Sequence, residues 1–581
     1  MNIIKHSDIQ APSIVEKKLT ALKHLRKELV GLSPEEALDR IISCEQPIAL
    51  VHSIPAQDFL MLVHDIGPED ALPILSLAST KQWQYMIDVQ VWKRDRLCIS
   101  ETTKWLHLMM KAEPNRFIHW FLNEDPKFFY YYLYQNIDIV GLQEDEDFSD
   151  LPDTFFSLDN IYYISLSDAR LEQPLERETE ELREELITEF LKRLAAYDHY
   201  EYQKVLVNIS SVLAAEFEEE SFRLKNSQLE SYGFLSFDDA IAIYQPIPEK
   251  HFFKGKRKPV VASKTATPQM VGPQYPIQMI SRDNYFAEAL MLMDSEESLS
   301  ELHVHFAHLC NQIISADAIS ISSQDTLKQV VNKACGYIHI AIESLLAENA
   351  PNPVSLKQIV LNYPIKELFQ WGYSKVLAVK WKADSWYRNS FFKEHGLKLD
   401  FWGEKWFGIL GGLLLKRPRY FAEFEKGQLY REFQKMSDIQ TVENALTQMI
   451  AIDEMISIFS ANIHPISGYQ LTFQNLLLTL FARDSLSLSP TLEPIPVTQF
   501  QKFYESMWIS DPPHNSIQTA FKQSFIDWFS KQTRFDTNYL DHRIGSVLDQ
   551  LFDDILAELG NVPFHSLSPQ YVNLFWLTSS V

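Results

Sequence analysis

Glycine is scarce here: 17 of 581 residues, about 3% against a usual ~7%. Phosphate-cradling loops and tight hairpins lean on glycine, so the shortage argues against nucleotide-binding α/β folds and glycine-punctuated β-sandwiches. Cysteine is scarcer still. Cys44, Cys98, Cys310 and Cys335 are scattered, with no CxxC pair, which fits a reducing compartment and not a disulfide framework. The longest apolar run, Phe407 to Leu415, is nine residues with three glycines, far short of the ~20 a spanning helix requires. The N-terminal residues carry no apolar h-region, so no secretory signal is expected. Basic residues are outnumbered, 53 against 77 acids for a formal charge of −24. Duplex DNA is therefore not an expected partner, because binding it needs phosphate neutralisation by Lys and Arg. These absences together predict a cytoplasmic chain with no transmembrane segment.

What the sequence does have is proline-led helix starts. Ser33-Pro34-Glu35-Glu36 reads as a capping box with proline in the first turn. Further starts are read at Gln46-Pro47, Ile54-Pro55, Gly67-Pro68 and Thr80, at steps of 13, 13 and 12 residues from Pro34 to Pro47, Pro55 to Pro68 and Pro68 to Thr80. Helices this short cannot bury an apolar face alone, so they must stack on neighbours. Residues 114–140 continue as helix through the aromatic run Phe128 to Tyr134, parts of which need covering on every side. Glu144-Asp145-Glu146-Asp147 reads as a solvated acidic loop. Strand-forming residues on both sides of Asp159-Asn160 predict a β-hairpin. Residues 172–230 are long-helical, with Leu206, Ile209, Leu213, Phe217 and Leu224 on one stripe. A Pro/Lys-rich linker over 251–280 precedes a helix-rich remainder, interrupted by a Ser/Pro stretch from Ser485 to Pro496.

The expected fold is mainly α: a short-helix, superhelical, repeat-like N-terminal region, a small β-hairpin and a helical C-terminal half. The expected organisation is a stacked short-helix domain (1–140), then an acidic loop, hairpin and long helices (141–250). The linker (251–280), a helical domain (281–484) and a C-terminal helical region (485–581) follow.

Standard catalytic motifs are missing. Gly403 and Gly408 have P-loop spacing, but Ile409 and Leu410 stand where Lys and Ser/Thr are required. No HExxH, GxSxG or Glu-x-x-His pattern occurs. Metal-ligating residue types gather at His303, His305, His308 and Cys310, since imidazole and thiolate suit zinc. At ~100° per residue, though, His303 and Cys310 share one helical face while His305 and His308 share another. Surface or core histidines are the simpler reading, and no cofactor or metal is predicted. Glu216, Glu219 and Glu220 could serve as a carboxylate cluster but fit a solvated helix face better.

Residues 361–420 run against the overall charge, with eleven Lys or Arg against five acids and fourteen aromatics. Lys380, Lys382, Arg388, Lys416, Arg417 and Arg419 are the candidates for receiving an anionic partner or surface. The alternative is an aromatic core with lysine stems lying over it and paired charges.

Four strings are also informative: Gly67-Pro68-Glu69-Asp70-Ala71-Leu72-Pro73, Phe217-Glu218-Glu219-Glu220-Ser221-Phe222-Arg223-Leu224-Lys225-Asn226, Phe369-Gln370-Trp371-Gly372-Tyr373-Ser374 and Lys416-Arg417-Pro418-Arg419. They resemble an uncharacterised family of deltaproteobacterial proteins over most of the chain. That resemblance implies no activity, because the family is a domain of unknown function. The proline-led helices of residues 32–90 are in addition similar to the helical N-terminal domain of MgtE-type magnesium channels. This implies a superhelical stack but not magnesium sensing, for no channel segment is read after it. The function expected is a cytoplasmic helical adaptor or regulatory protein-interaction scaffold, with a protein partner and no nameable catalytic residue. Two alternatives stand beside it. One is a metal-dependent or otherwise unrecognised enzyme with its site in the C-terminal half, the other a binder of an anionic ligand or surface through 361–420.

Overall fold

The computed structural model describes residues 14–29, 31–124, 126–141, 151–171, 173–211, 214–254, 273–281, 283–321, 323–346, 353–459, 470–509 and 516–579. The acidic stretch 144–147, Leu213 and most of the Pro/Lys-rich stretch (255–272) lie outside them. Described residues are mainly helical, with a few small strands. None of their helices is long and apolar enough to cross a membrane. The chain forms two compact units, residues 1–338 with 348–370, and residues 339–347 with 371–581.

The first unit opens with the stack. Pro34–Ile42 begins at the predicted capping box: the Glu36 backbone N–H donates to Ser33 Oγ at 3.4 Å and the Ser33 N–H returns to the Glu36 carboxylate at 3.0 Å. Helices Pro47–Ser53, Ala56–Ile66, Leu72–Leu77 and Thr80–Gln90 follow. The first four pack on the helix two places further along, Pro34–Ile42 on Ala56–Ile66, Pro47–Ser53 on Leu72–Leu77, Ala56–Ile66 on Thr80–Gln90, and Leu72–Leu77 on Ile99–Ala112, while Thr80–Gln90 packs on Ile99–Ala112 as well. That alternation is the superhelical arrangement expected of short stacked helices. Gln82 ties it together. It completes a second capping box with Ser79 and donates its side-chain amide to the carbonyls of Val51 (2.8 Å) and Ile54 (3.0 Å).

One start falls elsewhere than expected. Helix Leu72–Leu77 begins four residues after Pro68, because Pro73 has no N–H to give the Glu69 carbonyl and so must sit in a first turn.

The aromatic run lies on helix Lys127–Asn136, where Phe128 through Leu133 are all buried. Phe129 lies 5.2 Å from Phe121 and 4.9 Å from Phe190 between ring centroids. Helix does not continue to residue 140. Asn136 folds its amide back onto the Tyr132 carbonyl at 2.6 Å, and Ile137–Gly141 becomes an edge strand. It pairs antiparallel with Tyr162–Leu166, which pairs in turn with Phe156–Ser157. The predicted hairpin is thus part of a three-stranded sheet. Its turn uses Asn160 at φ +59°, and Asp159 accepts the N–H groups of Ile161 and Tyr162, both at 2.9 Å.

The long-helical region divides into Arg177–Tyr197, His199–Ser210 and Ala214–Glu230. The expected single stripe is therefore shared by two helices: Leu206 and Ile209 are buried on one, while Leu224 on the next is exposed.

The second unit contains Gly403–Leu414, Met436–Ile456, Phe473–Ser485, Val497–Met507, Thr519–Thr533 and Thr537–Leu559. Its core is a cluster of rings including Phe481, Phe503, Phe521, Phe525 and Phe552. The Ser/Pro stretch that interrupts it is held by buried Arg483. This side chain donates to the carbonyls of Ser489 (3.1 Å) and Glu493 (3.0 Å) and to Ser489 Oγ (3.0 Å).

Candidate functional site

His303, His305, His308 and Cys310 all lie on helix Glu296–Asp317, which spends them on packing. The His303 ring is 3.5 Å from the Gln274 amide, and His305 is 3.9 Å from Glu301. His308 lies against Gly233, where an added Cβ would come within 2.5 Å of its ring at a backbone φ of +85°. Burial lowers the His308 pKa, and the neighbouring His305 lowers it further. Cys310 is fully buried, which pushes its thiol up and away from the thiolate. Among the described residues no three His, Cys, Asp or Glu side chains are placed to hold a metal ion.

The three glutamates serve a charged face. Glu219 pairs with Arg223 at 2.6 Å, Glu220 pairs with Lys127, and Glu216 is exposed. Exposed pairs of this kind contribute about 0–1 kcal/mol each.

In the basic, aromatic window half of the rings are core. Tyr363 and Phe369 are buried in the first unit; Trp371, Tyr373, Phe392, Phe401 and Trp402 are buried in the second. Most of the cations have local partners. Lys380 donates to the Leu413 and Leu414 carbonyls, each at 3.3 Å, at the end of helix Gly403–Leu414, and pairs with Asp384 at 3.3 Å. Positive charge is favourable at such a C-terminus. Lys382 meets Glu443 (3.6 Å) and Thr447 (3.1 Å), Arg388 donates to the Asp384 carbonyl (3.2 Å), and Arg419 pairs with Glu432 (3.6 Å). Lys416 is exposed and Arg417 half-buried beside exposed Leu415.

That last corner is built around glycine. A hairpin of Tyr420–Phe421 and Tyr430–Arg431 lies on helix Gly403–Leu414 where the helix has no side chains. A Cβ on Gly408 would collide with the Phe421 ring; one on Gly412 would meet the Arg419 carbonyl at 2.6 Å and Tyr430 at 2.8 Å. The hairpin is clamped from its other end. Arg431 gives both carboxylate oxygens of Asp438 a hydrogen bond, at 2.7 and 2.8 Å, and covers the Tyr420 ring at 4.1 Å. Burial would raise the Asp438 pKa, yet Arg431 and the Gln434 and Lys435 N–H groups hold it below the ordinary carboxylate value.

At the tip, Glu423 (φ +49°) and Phe424 (φ +62°) are consecutive left-handed residues. Phe424 is 67% exposed. Phe407 and Leu415 are exposed as well. At four-residue steps they share a helical face with Gly411, where an added Cβ would come within 3.1 Å of the Tyr430 hydroxyl. The turn thus presents one aromatic to solvent, on a hairpin packed against a helix that exposes Phe407 and is followed by exposed Leu415 and Lys416.

A family of unknown function, DUF6178, matches residues 14–578. The chain belongs to that family. All four strings noted in the sequence fall inside the matched range. No curated protein matches the chain, and no solved structure does either.

This DUF6178 chain also holds perturbed carboxylates that the sequence did not single out. Asp58 is buried on helix Ala56–Ile66. It accepts the Gln274 N–H on both oxygens, at 3.0 and 2.9 Å, and the Tyr275 N–H at 3.2 Å. Burial outweighs these bonds and pushes its pKa up to about 7. Asp88, buried on Thr80–Gln90, accepts the Gln84 amide at 2.9 Å and is likewise pushed up to about 7 by burial. Nearby Lys225 lies over the Phe222 and Trp92 rings at 4.8 and 5.4 Å, and burial brings it down to about 8. The only local hint is an acid inside an apolar run, Asp58 before Phe59-Leu60-Met61-Leu62-Val63.

Proposed function

We propose that the chain is a cytoplasmic adaptor or regulatory scaffold that binds a protein partner at the 420–431 hairpin of its second unit. The observation that carries this reading is Phe424. Left-handed backbone costs a non-glycine residue roughly 1–2 kcal/mol, and strain of this kind concentrates at functional positions. Here two such residues in succession hold a large ring in solvent, on a hairpin seated against glycines and clamped by Arg431. A pre-ordered aromatic loses little entropy on docking, which is why rigid rings serve as binding anchors. Lys416 next to Leu415 favours a partner segment that is apolar with an acidic flank.

Affinity capture from native lysate, with the wild-type chain beside Phe424→Ser and Phe407→Ser, tests the proposal. A stoichiometric protein should be retained by the wild type and lost about 10-fold or more from the Phe424 variant, since burying a Phe is worth about 1.5–3 kcal/mol. If the wild type retains no stoichiometric protein, or both variants retain it equally, the reading fails.

A further inference from the structure

The first unit takes Lys225 partly out of water without giving it an oxygen. The residue lies on helix Ala214–Glu230, and its Nζ sits in the wedge between Phe222 and Trp92, whose ring centroids are 5.9 Å apart at an interplanar angle of 54°. An ammonium carries three donors, yet among the described residues Lys225 makes no hydrogen bond and no ion pair. Other deeply placed lysines do: Lys333 pairs with Asp317 at 3.0 Å and Lys380 with Asp384 at 3.3 Å. The Lys225 Nζ is not sealed in, and the side chain as a whole is only half-buried.

Aromatic faces attract the charged amine, while removal from water disfavours it. Burial prevails and brings the Lys225 pKa down to about 8, against the pull of Asp88 on helix Thr80–Gln90 and of exposed Asp95. A neutral amine with an unengaged lone pair and access to solvent is a nucleophile. The neighbouring charges bear on its co-reactant. Arg96 is taken up by Glu218 at 3.9 Å, and Arg223 by Glu219 at 2.6 Å. Lys93 and Arg94 follow Trp92 in the small hairpin of Trp92–Lys93 and Arg96–Leu97. Both are exposed, and neither pairs with a carboxylate among the described residues. Two such cations favour an electrophile whose leaving group is an anion.

We propose that Lys225 is a site of N-acylation by small acyl phosphates. The neutral Nζ attacks the acyl carbon, forming the C–N bond of an amide, and the bond from that carbon to the phosphate oxygen breaks. Phosphate leaves with the bonding electrons and takes the proton that the nitrogen gives up. The products are an uncharged amide on Lys225 and hydrogen phosphate.

Incubating the full chain with acetyl phosphate, and following each lysine by peptide mass spectrometry, is the test. At about pH 7.5 Lys225 should be acetylated about tenfold faster than exposed Lys81. Its rate should level off above about 8, while labelling of Lys81 continues to rise. Asp88→Asn, which removes a carboxylate favouring the ammonium, should move the levelling-off to lower pH. Lys93→Ser combined with Arg94→Ser should slow acetyl phosphate several-fold and leave the reaction with uncharged p-nitrophenyl acetate as it was. Labelling of Lys225 no faster than Lys81, a rate that climbs in step with Lys81, or a double variant that reacts undiminished with acetyl phosphate overturns the proposal. If Asp88→Asn fails to fold, the wild-type pH profile and the double variant decide alone. Phe424→Ser should leave acetylation of Lys225 unchanged, so the result is independent of the reading of the 420–431 hairpin.

Discussion

Asp58 in the first unit and Asp438 in the second form a natural comparison. Both are buried aspartates that accept backbone N–H groups, Gln274 and Tyr275 in one case, Gln434 and Lys435 in the other. Yet Asp58 is driven up to about 7 while Asp438 is held below its ordinary value. The difference is an arginine in contact. Arg431 gives Asp438 two hydrogen bonds, whereas Arg26, the cation acting on Asp58, spends its guanidinium on the Ser53 carbonyl. Backbone amides alone do not offset burial of a carboxylate; a bidentate guanidinium does.

Removing that arginine is the most disruptive way to break the contrast. Arg431→Ala leaves Asp438 buried without its cation, and stranding one member of such a pair costs about 3–5 kcal/mol. Denaturant unfolding should show a loss of this size. A loss under about 1 kcal/mol would mean that the pair is worth no more than an exposed one.

A middle-sized effect should come from pH. The folded pKa of Asp88 lies above its unfolded value near 3.8, so its favourable contribution is complete below 3.8 and is lost as pH rises through about 7. Asp438 has the opposite sign: its stabilisation is present above the unfolded value and is lost on acidification through the lower folded one. Asp88→Asn should therefore raise thermal stability at pH 8, by roughly 4 kcal/mol at most, and change little at pH 4. Equal effects at both pH values would show that Asp88 ionises in the folded chain as it does in the unfolded one.

The smallest of the three concerns the hairpin seat. Alanine normally improves on glycine inside a helix by about 1 kcal/mol, but at Gly408 it would strike the Phe421 ring. Gly408→Ala should destabilise by about 1–2 kcal/mol net of that gain. A stabilised variant, read from the shift in urea midpoint, would show that the hairpin is not held by close approach.

The stack was legible because its signals are local. Ser33 and Glu36, or Pro47 at a first turn, carry their structural meaning within four residues. Strand Ile137–Gly141 was not, because its partner Tyr162–Leu166 lies beyond an acidic stretch and its own sequence follows an aromatic helix without a break. Candidate sites fared worse for the same reason. Lys380 reads as free charge in a composition count, but the carbonyls it caps are more than thirty positions away. Nothing around Asp58 announces an acceptor for a backbone segment 216 positions on. Phe424 carries no such signal, because left-handed backbone is read from glycine or asparagine and here the residue is an aromatic.

The alternation of the N-terminal stack also bears on how the chain reaches its fold. The first four helices there find partners two places along, a few tens of residues at most, and such local contacts form quickly. A growing chain could complete these contacts before its second half is made. The Asp58 bonds to Gln274 and Tyr275 belong to a later event, because their donors emerge 216 and 217 residues afterwards. Until then the carboxylate would stay hydrated and charged, and only the arrival of that distant backbone would seal it in.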